Sequence, residues 1–215
     1  MPEPTILATS LEGVLLVKPS PIIDERGFFV RTMSSDVLLA AGIDPRSFVQ
    51  ENQSRSRRGT LRGLHMRKHL SEAKLARCAR GRVSEMIVDL RPWSSTFGRW
   101  EQFWLDDETH HQVYVPPGCA HGFQVVSDWA DICYKHDAYY APELDAVLAW
   151  DDRELRLPWP LPDPVLSERD RRAPSLAEIR PHLSEWYGSL RPSEGLVDVP
   201  QSFHTRHGGS PESHS

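Results

Sequence analysis

Lys74-Leu75-Ala76-Arg77-Cys78-Ala79-Arg80-Gly81-Arg82-Val83-Ser84-Glu85-Met86-Ile87-Val88-Asp89-Leu90 reads as two β-rich runs, Lys74–Ala79 and Val83–Leu90, divided by a turn at Arg80-Gly81. The pattern continues on both sides. Upstream, strands are predicted over Gly13–Lys18, Phe28–Met33 and Thr60–His65. Downstream they are predicted over Arg99–Leu105, Gln112–Val115, Gly122–Val126 and Ile132–His136. Turn residues separate them at Glu25-Arg26-Gly27, Pro116-Pro117-Gly118 and Ala141-Pro142. Many short strands at this spacing point to an all-β sandwich or barrel. A helix is predicted over Ser35–Ala41, capped by Ser34 or Ser35 and stopped at Gly42. Four prolines within residues 158–166 predict an extended surface segment. Two more short helices are expected, at Leu176–Ile179 and at Pro181–Tyr187, where Pro181 suits a first helical position. One domain is expected over residues 1–187. Residues 188–215, rich in Gly, Pro, Ser and His without an apolar period, read as a disordered tail.

The bulk numbers bound the function. A chain of 215 residues with 39% hydrophobic and 26% charged residues is expected to form one ordinary soluble domain. No apolar run approaches the roughly 20 residues of a membrane span, and the N-terminus carries no signal-peptide pattern. Cys78, Cys119 and Cys133 are an odd set without paired spacing, as expected of buried thiols in a reducing cytoplasm. The net charge of −5 hides an asymmetry: Arg55–Arg82 holds ten Lys or Arg and one acid, and the remainder 15 bases against 29 acids. One basic segment in an acidic protein points to a localised anionic ligand. A nucleic acid would ask for a broad basic face. The plainer alternative is a solvated edge strand.

Three histidines stand in turn-flanked β settings: His65 in Arg62-Gly63-Leu64-His65, His69, and His121 in Pro117-Gly118-Cys119-Ala120-His121-Gly122. Metal-binding cupins use two histidines one residue apart and a downstream glutamate. Here Arg67 stands where the second histidine would be, Lys68 and Lys74 flank the segment, and no acid lies between His65 and Glu72. A guanidinium beside a divalent ion is unfavourable, so no metal is expected. A histidine without a metal suits a general base, although a lone histidine is more often a packed bystander. Strand alternation puts Leu61, Gly63, His65 and Arg67 on one face. Arg62 then faces the other way unless Gly63 bends the strand. Tyr134 alternates with Ile132 and His136, and Lys74 opens a strand soon after His65. Base, phenol and ammonium together suit removal of a proton beside a carbonyl. Spacing alone does not bring them together.

Asp24-Glu25-Arg26-Gly27-Phe28-Phe29 resembles the opening motif of the dTDP-4-dehydrorhamnose 3,5-epimerase family. Phe48-Val49-Gln50-Glu51-Asn52-Gln53-Ser54, Gly59-Thr60-Leu61-Arg62-Gly63-Leu64-His65 and Lys74-Leu75 follow in the family's order. So do Val88-Asp89-Leu90-Arg91, Ser95-Thr96-Phe97-Gly98, the Val115–Phe123 segment, Tyr139-Tyr140-Ala141-Pro142, Trp150-Asp151-Asp152, Trp159-Pro160 and Leu166-Ser167-Glu168-Arg169-Asp170. The resemblance spans roughly residues 10–180. It implies a cupin-like jelly-roll β-barrel with a few short peripheral helices, a homodimer that exchanges N-terminal strands, and no metal or organic cofactor. By similarity His65 is the base, Asp170 the carboxylate that orients it, Tyr134 the acid on the opposite face and Lys74 the enolate-stabilising cation, with His121 assisting. Arg26 and Arg62 match diphosphate-binding positions, and Gln50 and Asn52 nucleotide-contacting ones.

Two positions depart from the family pattern. Arg31 stands where the family usually has Glu, and Arg67 where it usually has Gln. Arginine only donates hydrogen bonds, whereas glutamate accepts them. Arg31 and Arg67 are therefore candidate substrate contacts that leave the nucleotide carrier open. The activity implied is inversion of C3 and C5 of a nucleotide-linked 4-keto-6-deoxyhexose, with C3-only inversion as a close variant. A metal-dependent cupin enzyme and a non-catalytic sugar-nucleotide-binding barrel are the competing classes.

Overall fold

Successive side chains of a strand point to opposite faces, and the central strands Arg82–Asp89 and Cys119–Val125 bury both. In the computed structural model, which describes residues 3–69 and 72–188, the first elements are β1 (Thr5–Ala8), β2 (Leu15–Lys18), β3 (Ile22–Asp24), β4 (Gly27–Phe29) and helix α1 (Ser35–Ala40). The central strands are β5 (Gln50–Arg57), β6 (Leu61–Arg67), β7 (Lys74–Arg80), β8 (Arg82–Asp89) and β9 (Trp100–Asp106). Then come β10 (Gln112–Val115), β11 (Cys119–Val125), β12 (Trp129–His136), β13 (Asp145–Val147) and helices α2 (Glu168–Arg171) and α3 (Leu176–Tyr187). One sheet has the order β1-β2-β10-β7-β12-β5 and the other β13-β6-β11-β8-β9, while β3 and β4 form a separate hairpin. The result is a cupin-like jelly roll. No helix among the described residues is long and apolar enough to cross a membrane.

Between the sheets, Ala76, Cys78, Val113 and Ile132 of the first meet Ile87, Phe103, Leu105 and Phe123 of the second. The outer face of the first sheet buries Leu15, Val17 and Leu75 against Leu38 of α1. The outer face of the second buries Leu64, Met86 and Val88 against Leu176, Ile179, Leu183 and Tyr187 of α3. Each such side chain contributes roughly 1.5–3 kcal/mol of hydrophobic stabilisation, so α3 is held by packing along one face. Its start is fixed by a capping box between Ser175 and Glu178.

Several expectations change. The two short helices expected around Pro181 are one, and Pro181 sits inside it, not at its first position. Packing of Leu176, Ile179, Leu183 and Tyr187 carries the helix through the proline. The run expected as a strand over Phe28–Met33 shortens to Gly27–Phe29, because among the described residues its only partner is the three-residue β3. Strands β1, β3, β5 and β13 were not predicted. β5 reads Gln50-Glu51-Asn52-Gln53-Ser54-Arg55-Ser56-Arg57, without an apolar residue, yet pairs with β12 along its whole length. It is an edge strand, and its inward residues Gln50 and Asn52 face a polar cavity, so no apolar alternation marks it. The expected disordered tail, apart from Gly188, lies outside the described residues.

Candidate active site

The cavity opens where the interior between the sheets turns from apolar to polar. Parity along β7 carries the inward face from Cys78 and Ala76 to Lys74, and along β12 from Ile132 to Tyr134 and His136. On the opposite sheet, His121 of β11 lies beside His65 of β6. Arg62, His65, Lys74, His121 and Tyr134 line one cavity, which also takes in Gln50 and Asn52. The cavity is partly open to solvent and holds about 200 Å³.

The strand bends at Gly63, the condition that turns Arg62 inward. β11 pairs His121 with His65 but Phe123 with Arg62, so three steps on β6 oppose two on β11. This bulge reverses the alternation, and Arg62 joins His65 on the cavity side. Gly63 has φ +120, and a Cβ there would stand 2.6 Å from Gly122 Cα and 2.7 Å from the His121 carbonyl oxygen. Only glycine fits both the conformation and the space.

His65 Nε2 lies 2.8 Å from Asp170 Oδ1. Asp170 is placed by the short helix α2, whose N-cap Ser167 accepts from the Asp170 backbone N–H. Burial works to raise the Asp170 pKa, but hydrogen bonds from His65 and Ser167 and the Gly63 N–H hold it below the usual carboxylate value. The ionised carboxylate accepts from Nε2–H, which leaves the Nδ1 lone pair of His65 free. His121 has a different partner. Its Nδ1 is 2.8 Å from Oε1 of Glu85, a wholly buried residue whose Oε2 has no partner among the described residues. Burial pushes Glu85 up and His121 down, so both move toward their neutral forms.

Glu72 is a second carboxylate that the sequence reading did not assign. It accepts from Lys74 Nζ at 2.6 Å, Arg67 Nη1 at 3.0 Å and His136 Nδ1 at 3.1 Å. Burial opposes ionisation, but the His136 hydrogen bond and the Lys74 charge prevail and bring its pKa down to about 2. A signal existed for Glu85, an acid inside the apolar run Val83–Leu90, and for His136, which shares parity with Tyr134. Glu72 lies between β6 and β7, and no period marks it.

Three expected binding residues lie elsewhere. Arg26 stands at the turn of the β3–β4 hairpin, exposed and paired with Asp24. Arg31 Nη1 reaches Ser34 Oγ at 3.4 Å and borders a small hollow with Val37 and Leu38. Arg67 is buried beside the cavity, turned onto Glu72 and the Tyr139 carbonyl. Among the described residues, no group of three or more His, Cys, Asp or Glu is arranged to hold a metal ion.

Fold and cavity place this chain among the cupin-like jelly-roll proteins that take up a small molecule between their sheets. A profile of the dTDP-4-dehydrorhamnose 3,5-epimerase family matches residues 8–178. The chain belongs to that family. The dTDP-4-dehydrorhamnose 3,5-epimerase of Pseudomonas aeruginosa is 42% identical over 79% of this chain and 94% of its own. The dTDP-4-dehydrorhamnose 3-epimerase of Streptomyces niveus is 39% identical over 79% of this chain and 83% of its own. Among solved structures, a dTDP-6-deoxy-D-glucose-3,5-epimerase from Legionella pneumophila in complex with dTDP-4-keto-L-rhamnose superposes with a TM-score of 0.78. It has 38% identity and covers 83% of this chain and 95% of that one.

Proposed function

We propose that this protein is an isomerase that inverts C3 and C5 of a nucleotide-linked 4-keto-6-deoxyhexose, converting dTDP-4-dehydro-6-deoxyglucose to dTDP-4-dehydro-L-rhamnose. The observation that carries the reading is the His65–Asp170 pair, 2.8 Å apart, on the same cavity as Lys74 and Tyr134. The C4 ketone acidifies the C–H bonds at C3 and C5. His65 Nδ1 takes the proton, and the electron pair moves onto the C4 oxygen as an enolate beside the Lys74 ammonium. Tyr134 returns a proton from the opposite face, the C–H bond re-forms with inverted configuration, and solvent resets both groups. His121, neutral and held by Glu85, offers a further hydrogen bond. Arg62 supplies charge for the diphosphate, and Gln50 and Asn52 supply amides for the nucleoside.

A homodimer completes the proposal. Ile22, Ile23, Phe28 and Phe29 of the β3–β4 hairpin are all exposed, and Arg26 at its turn stands outside its own cavity. Exchange of this N-terminal hairpin would cover the apolar side chains and deliver Arg26 to the partner's diphosphate. Sedimentation should give a dimer; a monomer overturns this part. Three free, buried cysteines fit a cytoplasmic location.

The direct test is incubation in D₂O with 4-keto-6-deoxyglucose linked to dTDP, CDP, GDP or UDP. Deuterium at C3 and C5 of the dTDP sugar is the expected result. Deuterium at C3 alone gives the C3-only activity carried by the Streptomyces relative's name. Preference for another carrier that reverts toward dTDP in Arg31→Glu would assign Arg31 to the nucleobase. No incorporation with any carrier would leave a binding protein.

A further inference from the structure

Arg67 and Glu72 belong to a closed ring of hydrogen bonds whose directions are fixed. Arg67 can only donate, and it gives Nη1–H to Glu72 Oε1 at 3.0 Å and Nη2–H to the Tyr139 carbonyl at 2.6 Å. The same peptide unit donates the Tyr140 N–H to Gln50 Oε1 at 3.2 Å. Gln50 therefore turns its Nε2 to Asn52 Oδ1, 3.2 Å away. Asn52 in turn points Nδ2 at His136 Nε2, 3.3 Å away. His136 Nδ1 closes the ring on Glu72 Oε1 at 3.1 Å. Glu72 also holds Lys74 through its other oxygen at 2.6 Å.

Two fixed ends meet at His136. A carboxylate at Nδ1 accepts, so Nδ1 carries the proton; an amide N–H faces Nε2, so Nε2 carries the lone pair. The ring closes only with a neutral His136 protonated on Nδ1. Gln50 and Asn52 each use one N–H and one carbonyl lone pair inside the ring. Each keeps one of both for a ligand, and neither amide can turn over without breaking a bond. A buried ion pair is weak evidence for stability, whereas fixing one arrangement is a better attested use.

We propose that Arg67 and Glu72 are positioning residues of this site: Glu72 holds the Lys74 ammonium in the cavity, and the ring through Arg67 and His136 fixes the way Gln50 and Asn52 face the ligand. The proposal rests on the epimerase reading for the reaction it serves. It gives the departure at residue 67 a role one step removed from substrate, with Arg67 acting through Glu72 and the Tyr139–Tyr140 peptide.

The test has two arms. Long-range ¹H–¹⁵N correlation of the imidazole at mildly alkaline pH reads the His136 tautomer without any turnover. The wild type should show Nδ1–H, and Glu72→Ala should release it toward the usual Nε2–H form. An Nε2–H tautomer in the wild type overturns the ring. The second arm measures deuterium exchange in Arg67→Gln, Glu72→Ala and the double variant, with Arg67→Lys as a further variant should Arg67→Gln fold poorly. Misplacement of a catalytic group costs up to about 10²-fold, so Glu72→Ala should lose that much in kcat. Arg67→Gln should lose roughly tenfold, and the double variant no more than Glu72→Ala, because the two act as one unit. Losses that multiply, with the Arg67 effect confined to KM, would make Arg67 a substrate contact and overturn the proposal. A wild type with the Nδ1–H tautomer but no exchange would overturn the reaction assignment and leave the ring intact, so the two readings fail separately.

Discussion

His65 and His121 sit side by side on paired strands, and each leans on a carboxylate at 2.8 Å, yet the two pairs hold charge differently. Asp170 gathers donors from His65, Ser167 and Gly63, which keep it ionised. Among the described residues Glu85 has only His121, and burial drives it toward the neutral acid. An ionised Asp170 makes His65 a base that gains support as it takes a proton. Replacing His65 with Asn should cost about 10² to 10⁴ in exchange rate. The His65/Asp170 double replacement should cost little more than His65 alone, since partners that act as a unit are not additive. Independent, multiplying losses would separate the pair. Burial favours the neutral Glu85, which in that form donates O–H to His121 Nδ1, and an amide can do the same. Glu85→Gln should therefore retain activity within roughly a factor of three, while Glu85→Ala strips the partner from a buried ring at about 1–3 kcal/mol. If Gln and Ala fail equally, the carboxylate charge is what the site uses.

The elements show where single positions decide geometry. The bulge in β6 exists because Gly63 takes φ +120 against the backbone of Gly122. Gly63→Ala would place a methyl group 2.6 Å from a Cα that cannot swing aside. The variant should lose several °C in Tm, in line with the roughly 1–3 kcal/mol of a strained backbone position, and should lose exchange activity even where it folds. Full activity in Gly63→Ala would mean that Arg62 and His65 do not need the bulge. In α3, Pro181 interrupts the interior of a helix held by Leu176, Ile179, Leu183 and Tyr187. An interior proline costs up to about 3 kcal/mol relative to alanine, partly offset by the stiffer unfolded chain. Pro181→Ala, at an exposed position, should raise Tm without altering activity. A fall in Tm would show that the proline contacts matter more than the missing N–H.

For the whole molecule, buried carboxylates set the acid limit. Glu72 is brought from 4.5 to about 2, and Asp170 and Asp89 are also held low by their donors. A depressed folded pKa gives stability that is complete above the unfolded value and is lost as pH falls through the folded one. Stability should therefore decline from about pH 4.5 toward pH 2, and Glu72→Gln should flatten that decline. Denaturant melts at several pH values check it; an unchanged acid slope in Glu72→Gln would place the linkage elsewhere.

Strand-like runs and turn spacing suffice for the all-β class and most strands of the two sheets, and alternation puts His65 with Arg67, and Tyr134 with His136, on shared faces, because a period of two is local. The sequence by itself also marked Gly63 as the residue able to turn Arg62 inward, since only glycine reaches that backbone region cheaply. The pairing of His65 with Asp170 was legible only through the family motif, because the two residues are 105 positions apart. Tertiary structure alone decided the rest. β5 carries no apolar period because it faces a polar cavity. Arg67 is a candidate substrate contact only as a departure from the family's usual Gln, and the fold turns it onto Glu72 and the Tyr139 carbonyl. The Glu72 ring and the neutral Glu85 arise where separate strands meet, and burial and partner count, which no linear spacing encodes, set their charge.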